Sequence, residues 1–158
     1  MTLVLVSAIP VIMLLFGAGG WFTTYGIAVL DPQHVVKVAR GWPTISNTGS
    51  YPPESCVFSQ FFNMSAFLGC YVALLYYKFV ERRGLGGKLN RANFIVTISA
   101  MFGIMLVGNF QFVNVITVHF VGAFLAFGGI IGVEFMVGVI TFKLLYPRWL
   151  YSLRFVQG

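Results

Sequence analysis

Charge is what this sequence has least of. Only four acidic and ten basic residues occur among 158, 9% in all, where soluble chains carry about 25%. So few ionic groups cannot coat a water-facing surface, which excludes an ordinary soluble domain. Two cysteines are too few for a disulfide-stapled secreted scaffold, and no long polar run marks disorder. With four acids, general acid–base chemistry has almost no material. Paired carboxylates at helical spacing and a G-x-S-x-G elbow are both absent, so neither carboxylate nor serine-hydrolase catalysis is expected. The chain reads as no enzyme and calls for no cofactor. What abounds is apolar: 58% of residues are hydrophobic and 17% aromatic. The formal charge of +6 therefore concerns placement across a bilayer rather than binding to nucleic acid.

Crossing about 30 Å of hydrocarbon takes roughly 20 residues of helix. Four runs qualify, at about 3–30, 56–78, 92–112 and 117–142. They do not alternate, which argues against a transmembrane β-barrel. The fold class is all-α, a polytopic membrane protein built as a four-helix bundle, one transmembrane domain over residues 1–158. The first run could pass for a signal peptide, with Gly17, Ala18, Gly19 and Gly20 as a cleavage site. It has no basic residue ahead of it, however, and is far longer than the usual apolar core of about 7–15 residues.

Orientation follows the positive-inside rule. The loop 78–91 holds Lys78, Arg82, Arg83, Lys88 and Arg91, and the tail 143–158 holds Lys143, Arg148 and Arg154. The loop 31–55 holds only Lys37 and Arg40, offset by Asp31 and Glu54. Both termini are therefore expected inside. Gly84, Leu85, Gly86 and Gly87 suggest a flexible inner connector. Turn formers such as Asn47-Thr48-Gly49 and Pro52-Pro53 suggest a compact outer loop.

That outer loop carries a resemblance. Residues 43–58 read PTISNTGSYPPESCVF, similar to the P-x-I-S-[DN]-T-G-x-x-P-P-E-S-C-[LIV]-F motif of the damage-regulated autophagy modulator (DRAM) family. The motif positions are Pro43, Ile45, Ser46, Thr48, Gly49, Pro52, Pro53, Glu54, Ser55 and Cys56. Gly108, Asn109, Phe110 and Gln111 resemble the family's end of helix three. His119, Gly122 and Ala123 resemble its H-x-x-G-A at the start of helix four. The likeness is nearest to the transmembrane-protein-150 branch. It implies a non-catalytic membrane adaptor of the plasma membrane or the endosome–lysosome system, linked to autophagy and cell survival or to phosphoinositide-kinase scaffolding. The family usually has six spans, so four imply a natural short form or a truncated chain.

The remaining chemistry is sparse. Cys56 and Cys70 lie fourteen residues apart on one helix, about 21 Å, too far for a disulfide. Asp31, His34, Glu54, Cys56 and His119 share the outer side but show no metal-ligand spacing, and no metal is expected. Glu54, Ser46 and Thr48 are expected to knit the loop onto the turn holding Asn109, Gln111 and His119. Glu134 is an acid inside a span, a functional hypothesis by default. It reads either as part of an ion pathway or as a hydrogen-bonded acid facing Ser65, Asn63 or a neighbour's carbonyl. Gly128 and Gly132 form a small-x-x-x-small pattern that can pack within the bundle or between two copies of the chain, the first being favoured because a four-helix bundle must pack somewhere. Asn63-Met64-Ser65 is a glycosylation sequon in form only, being inside a helix.

Two function classes result. In one, the bundle is an adaptor whose basic face (Lys78, Arg82, Arg83, Lys88, Arg91, Arg148 and Arg154) meets anionic phosphoinositides and a cytosolic or membrane partner. In the other, it is an accessory subunit or modulator of an ion channel, or a transporter. A pore-former should carry polar stripes on two or more helices. The first and third runs show almost none, which favours the adaptor.

Overall fold

A computed structural model describes residues 3–30 and 43–145; Asp31, His34, Lys37, Arg40, Arg148 and Arg154 lie outside them. The described residues form four long helices and one short one: α1 Leu3–Leu30, α2 Ile45–Thr48, α3 Glu54–Val80, α4 Lys88–Asn109 and α5 Ile116–Leu145. The four long helices are each long and apolar enough to cross a membrane. The architecture is all-α, a polytopic membrane protein. Helices suit these runs because every backbone N–H and C=O must find a partner within its own segment once water is gone. The apolar side chains then face outward: Phe124, Phe127 and Phe135 of α5 are more than two-thirds exposed on the protein surface, as a lipid environment permits.

Consecutive long helices pack side by side, α1 on α3, α3 on α4 and α4 on α5. The α4–α5 seam is the closest. A Cβ added to Gly103 would lie 2.6 Å from the Ala126 nitrogen and the Gly122 oxygen. One added to Gly129 would lie 2.7 Å from Ala100 Cβ. Backbone meets backbone there, the small-residue packing that stands in for the hydrophobic effect inside lipid. The expected pair is displaced from this seam: Gly128 faces open space, and Gly132 would make only an ordinary contact with Val96, at 3.7 Å. The seam runs instead through Gly122, Ala126 and Gly129, whose three- and four-residue steps keep to one helical face.

At one end of the bundle, α3 continues through a π-helical turn, Glu81–Leu85, whose Gly84 sits at φ 78°, ψ 14°. That left-handed conformation suits glycine and turns the chain so that α4 begins after only Gly86 and Gly87. The connector is thus a short helical extension, not the flexible loop its glycines suggest. The buried Asn90 side chain holds it, donating from Nδ2 to the Tyr77 carbonyl at 3.0 Å. At the other end, Asn63 of α3 and Asn109 of α4 exchange amide hydrogen bonds of 3.1 and 2.7 Å.

Candidate functional site

The family-like residues gather at the end of the bundle where α3 begins and α4 ends. Thr44 starts α2 by accepting from the Asn47 N–H on its side chain, 3.3 Å, a standard N-cap. This single turn presents Ser46 to His119 in the first turn of α5. The imidazole is 3% exposed. Its Nδ1 lies 2.7 Å from the Phe110 carbonyl, which can only accept, so Nδ1 carries the hydrogen. In the neutral ring Nε2 then accepts from the Ser46 hydroxyl at 2.9 Å. One side chain thus ties the outer motif, the end of α4 and the start of α5 together. The Phe112 ring lies edge-on to it, with centroids 5.7 Å apart.

The motif's other residues support this lock. Gly49 is covered by the Phe58 ring, and an added Cβ would come within 2.5 Å of Phe58 Cγ. Thr48 and Ser50 are buried and donate locally, to the Ile45 and Ser46 carbonyls. Pro52-Pro53 is a cis bond leading into α3, and the Tyr51 carbonyl accepts from Ser55 at 2.8 Å. Ser55 is buried, as is Gly108, where a Cβ would meet Phe62 Cβ at 2.8 Å. Ala123 is half-buried, Cys56 is exposed and free, and Pro43 and Ile45 lie at the motif's edge.

The expected knitting is therefore realised through one pair, Ser46 with His119. Thr48 bonds within its own turn, and Gln111 accepts from Asn114 at 3.3 Å. Asn109 is taken by Asn63, a pairing that reading Asn63 as a sequon had hidden. Its signal was an amide inside an apolar span, which lipid penalises unless another polar group meets it. Glu54 is 1% exposed, and its Oε2 has no partner among the described residues.

Glu134 lacks the hydrogen-bonded neighbour that one of its two sequence readings supplied. It is exposed on α5, and among the described residues it makes no hydrogen bond to Ser65, Asn63 or a neighbouring carbonyl. The reason is angular. At 100° per residue, Glu134 lies roughly 80–140° around the helix from Ala126 and Gly129, off the face that meets α4. Cys70 is half-buried against Ala66, Ala100 and Met101, a packing role. Among the described residues no three His, Cys, Asp or Glu side chains converge as a metal site would require.

The opposite end is built differently. Lys78 pairs with Glu81 at 2.9 Å, while Arg82 and Arg83 project from the π-helical turn and Lys88 and Arg91 from the first turn of α4. All five cations are exposed. Among the described residues only Lys78 has an acidic partner. The Arg83 guanidinium lies 5.1 Å from the Phe79 ring centroid, which supports its stem and leaves its charge outward. Gly87 precedes α4 without a side-chain cap, so the free N–H groups of that first turn add to the positive field.

Comparison with known proteins gives the following. The Frag1/DRAM/Sfk1/Cwh43P N-terminal domain matches residues 5–156. A Xenopus tropicalis protein named "Modulator of macroautophagy TMEM150B" is 33% identical over 121 residues, covering 77% of this chain and 52% of the relative. The Homo sapiens protein of the same name is 35% identical over 121 residues, covering 77% and 51%. Homo sapiens "Transmembrane protein 150A" is 32% identical over 144 residues, covering 75% and 52%. The chain spans about half the length of these curated relatives. No solved structure matches it.

Proposed function

Because the chain belongs to the Frag1/DRAM/Sfk1/Cwh43P family, we propose that it is a non-enzymatic membrane regulator of macroautophagy that works through its basic end. In this reading both termini are cytoplasmic, and the turn between α3 and α4 lies along the anionic headgroups. There it holds a cytosolic partner against phosphoinositide-rich membrane, at the plasma membrane or on endosomes and lysosomes. The relatives' names, modulators of macroautophagy, support the process.

One observation carries the mechanism: Arg82, Arg83, Lys88 and Arg91 are exposed, and among the described residues none has an acidic partner. Cations already neutralised by the protein would have little left to offer a lipid surface. These four retain their charge for an anionic leaflet, whose attraction falls off within a Debye length. Against the channel or transporter reading, the outward position of Glu134 takes the span's one acid away from the interfaces between the described helices.

The test is the triple variant Arg82→Gln, Arg83→Gln, Lys88→Gln, which leaves Lys78 and Arg91 to hold orientation. In proteoliposomes and in cells, topology is expected to survive while binding to phosphoinositide vesicles and partner recruitment fall. Unchanged binding and recruitment would reduce the turn to a topology anchor.

A further inference from the structure

The outward face of α5 carries a polar group that the single chain does not satisfy. Glu134 is exposed there, and among the described residues no hydrogen bond or ion pair meets its carboxyl. Lys143, in the last turn of the helix, lies nine residues on, about 14 Å along the axis. A glutamate side chain is too short to reach headgroups at that distance. Its exposed neighbours Phe127, Ile131 and Phe135 are apolar. An acid held among such side chains within hydrocarbon is costly unless another polar group comes to meet it.

The residues around it form a stripe. Phe127, Ile131, Glu134 and Gly138 follow at steps of four, three and four, and Leu145 repeats Gly138 one heptad later. All five are exposed and fall within about 60° of one another around the axis. They lie at least about 80° from Ala126 and Gly129, which face α4. These steps are those of a seam between two helices crossing at a shallow angle. A Cβ added to Gly138 would meet nothing within 4 Å, so packing within the chain does not call for glycine there. The missing side chain instead leaves room for another backbone to come close, one turn from the carboxyl.

Symmetry identifies the occupant. Two copies inserted in the same orientation bring identical residues to identical depths across a two-fold axis. Opposite Glu134 then stands a second Glu134, and the O–H of one carboxyl can donate to an oxygen of the other. The rest of the stripe is self-complementary, with Phe127, Ile131 and Leu145 apolar and Gly138 small. Lys143 points about 160° away from the stripe's centre, so no like charges are brought together. A different protein would have to supply a polar side chain at that one depth, whereas a second copy supplies it by symmetry.

We propose that the chain forms a parallel two-fold dimer through this face of α5, with a hydrogen-bonded pair of Glu134 carboxyls at its centre and Gly138 admitting the close approach. The dimer does not rest on the reading of the basic end.

The test mixes donor- and acceptor-labelled copies of the full chain in phosphatidylcholine liposomes over a range of protein-to-lipid ratios. Energy transfer is expected to follow a monomer–dimer equilibrium. Glu134→Leu should weaken it about five-fold or more, while Glu134→Gln, whose amide both donates and accepts, should retain it. Gly138→Leu should weaken it without lowering the unfolding temperature of the single chain. Gly128→Leu, also in open space but about 120° from Glu134, should leave it intact. In a chain carrying Cys56→Ser and Cys70→Ala, oxidation should cross-link two copies through Gly138→Cys and not through Gly128→Cys. Energy transfer no greater than that of randomly placed monomers at every ratio would overturn the proposal. So would a dimer indifferent to both Glu134→Leu and Gly138→Leu, or one lost on Glu134→Gln. A cross-link from Gly138→Cys in cell membranes that joins the chain to a different protein would overturn it too.

Discussion

The two ends of this bundle use polar groups in opposite ways. At the motif end Thr48, Ser50, Glu54, Ser55 and His119 are buried and Ser46 is half-buried, and His119 alone joins three parts of the chain through two hydrogen bonds. At the basic end the cations are exposed and spend little on the protein itself: one acid contact at Lys78 and two aromatic contacts, Lys78 over Tyr77 and Arg83 over Phe79. A polar group in the interior of a membrane protein must be satisfied locally or is expensive. A cation at the interface can be left for the solvent, the headgroups or a partner. The motif end is built as a lock, and if the basic end is the contact surface proposed for it, variants should separate stability from recruitment along that line.

The largest effect is expected from His119→Ala. It removes two hydrogen bonds, to the Phe110 carbonyl and the half-buried Ser46 hydroxyl, worth about 1 kcal/mol each, together with the packing of a buried ring, so roughly 2–4 kcal/mol of stability should be lost. Denaturant titration of the detergent-solubilised protein would show it. A loss indistinguishable from zero would mean that the lock is held elsewhere.

A second pair of variants tests the seam that joins the ends. Gly122→Val places side-chain atoms against Leu106 and the Gly103 backbone, and overpacking of that kind costs about 1–3 kcal/mol. Gly128→Val projects into open space and should leave the unfolding midpoint unchanged. Equal losses at the two positions would place α5 in a different rotation against α4.

The smallest effect is expected at Glu134. Exposed on α5 and without a hydrogen-bond or ion-pair partner among the described residues, it has no contact to lose, so Glu134→Gln should change stability by less than about 0.5 kcal/mol. A clear loss in thermal unfolding would show that the charge itself is held by another group.

This rotation of α5 is also where sequence reasoning stopped. The existence of four apolar helices was legible, because length and hydropathy alone decide it. So was the meeting of Ser46 and His119, since both stood in family-like blocks at the same end. The face of α5 was not legible. A helix apolar all round carries no stripe to say which side is packed. Gly122-Ala126-Gly129 and Gly128-Gly132 offered two seams, and the choice between them depended on Ala100, Gly103 and Leu106 of another helix. The error at Glu134 followed from that same ambiguity.

The most direct measurement of the central claim compares the two ends in one assay, autophagic flux per molecule of folded protein in cells lacking the endogenous copy. The triple variant Arg82→Gln, Arg83→Gln, Lys88→Gln is predicted to keep parental abundance and to lower flux per molecule. His119→Ala is predicted to lower abundance and keep flux per molecule. Parental flux from the triple variant at parental abundance would contradict the assignment of the basic end as the working surface.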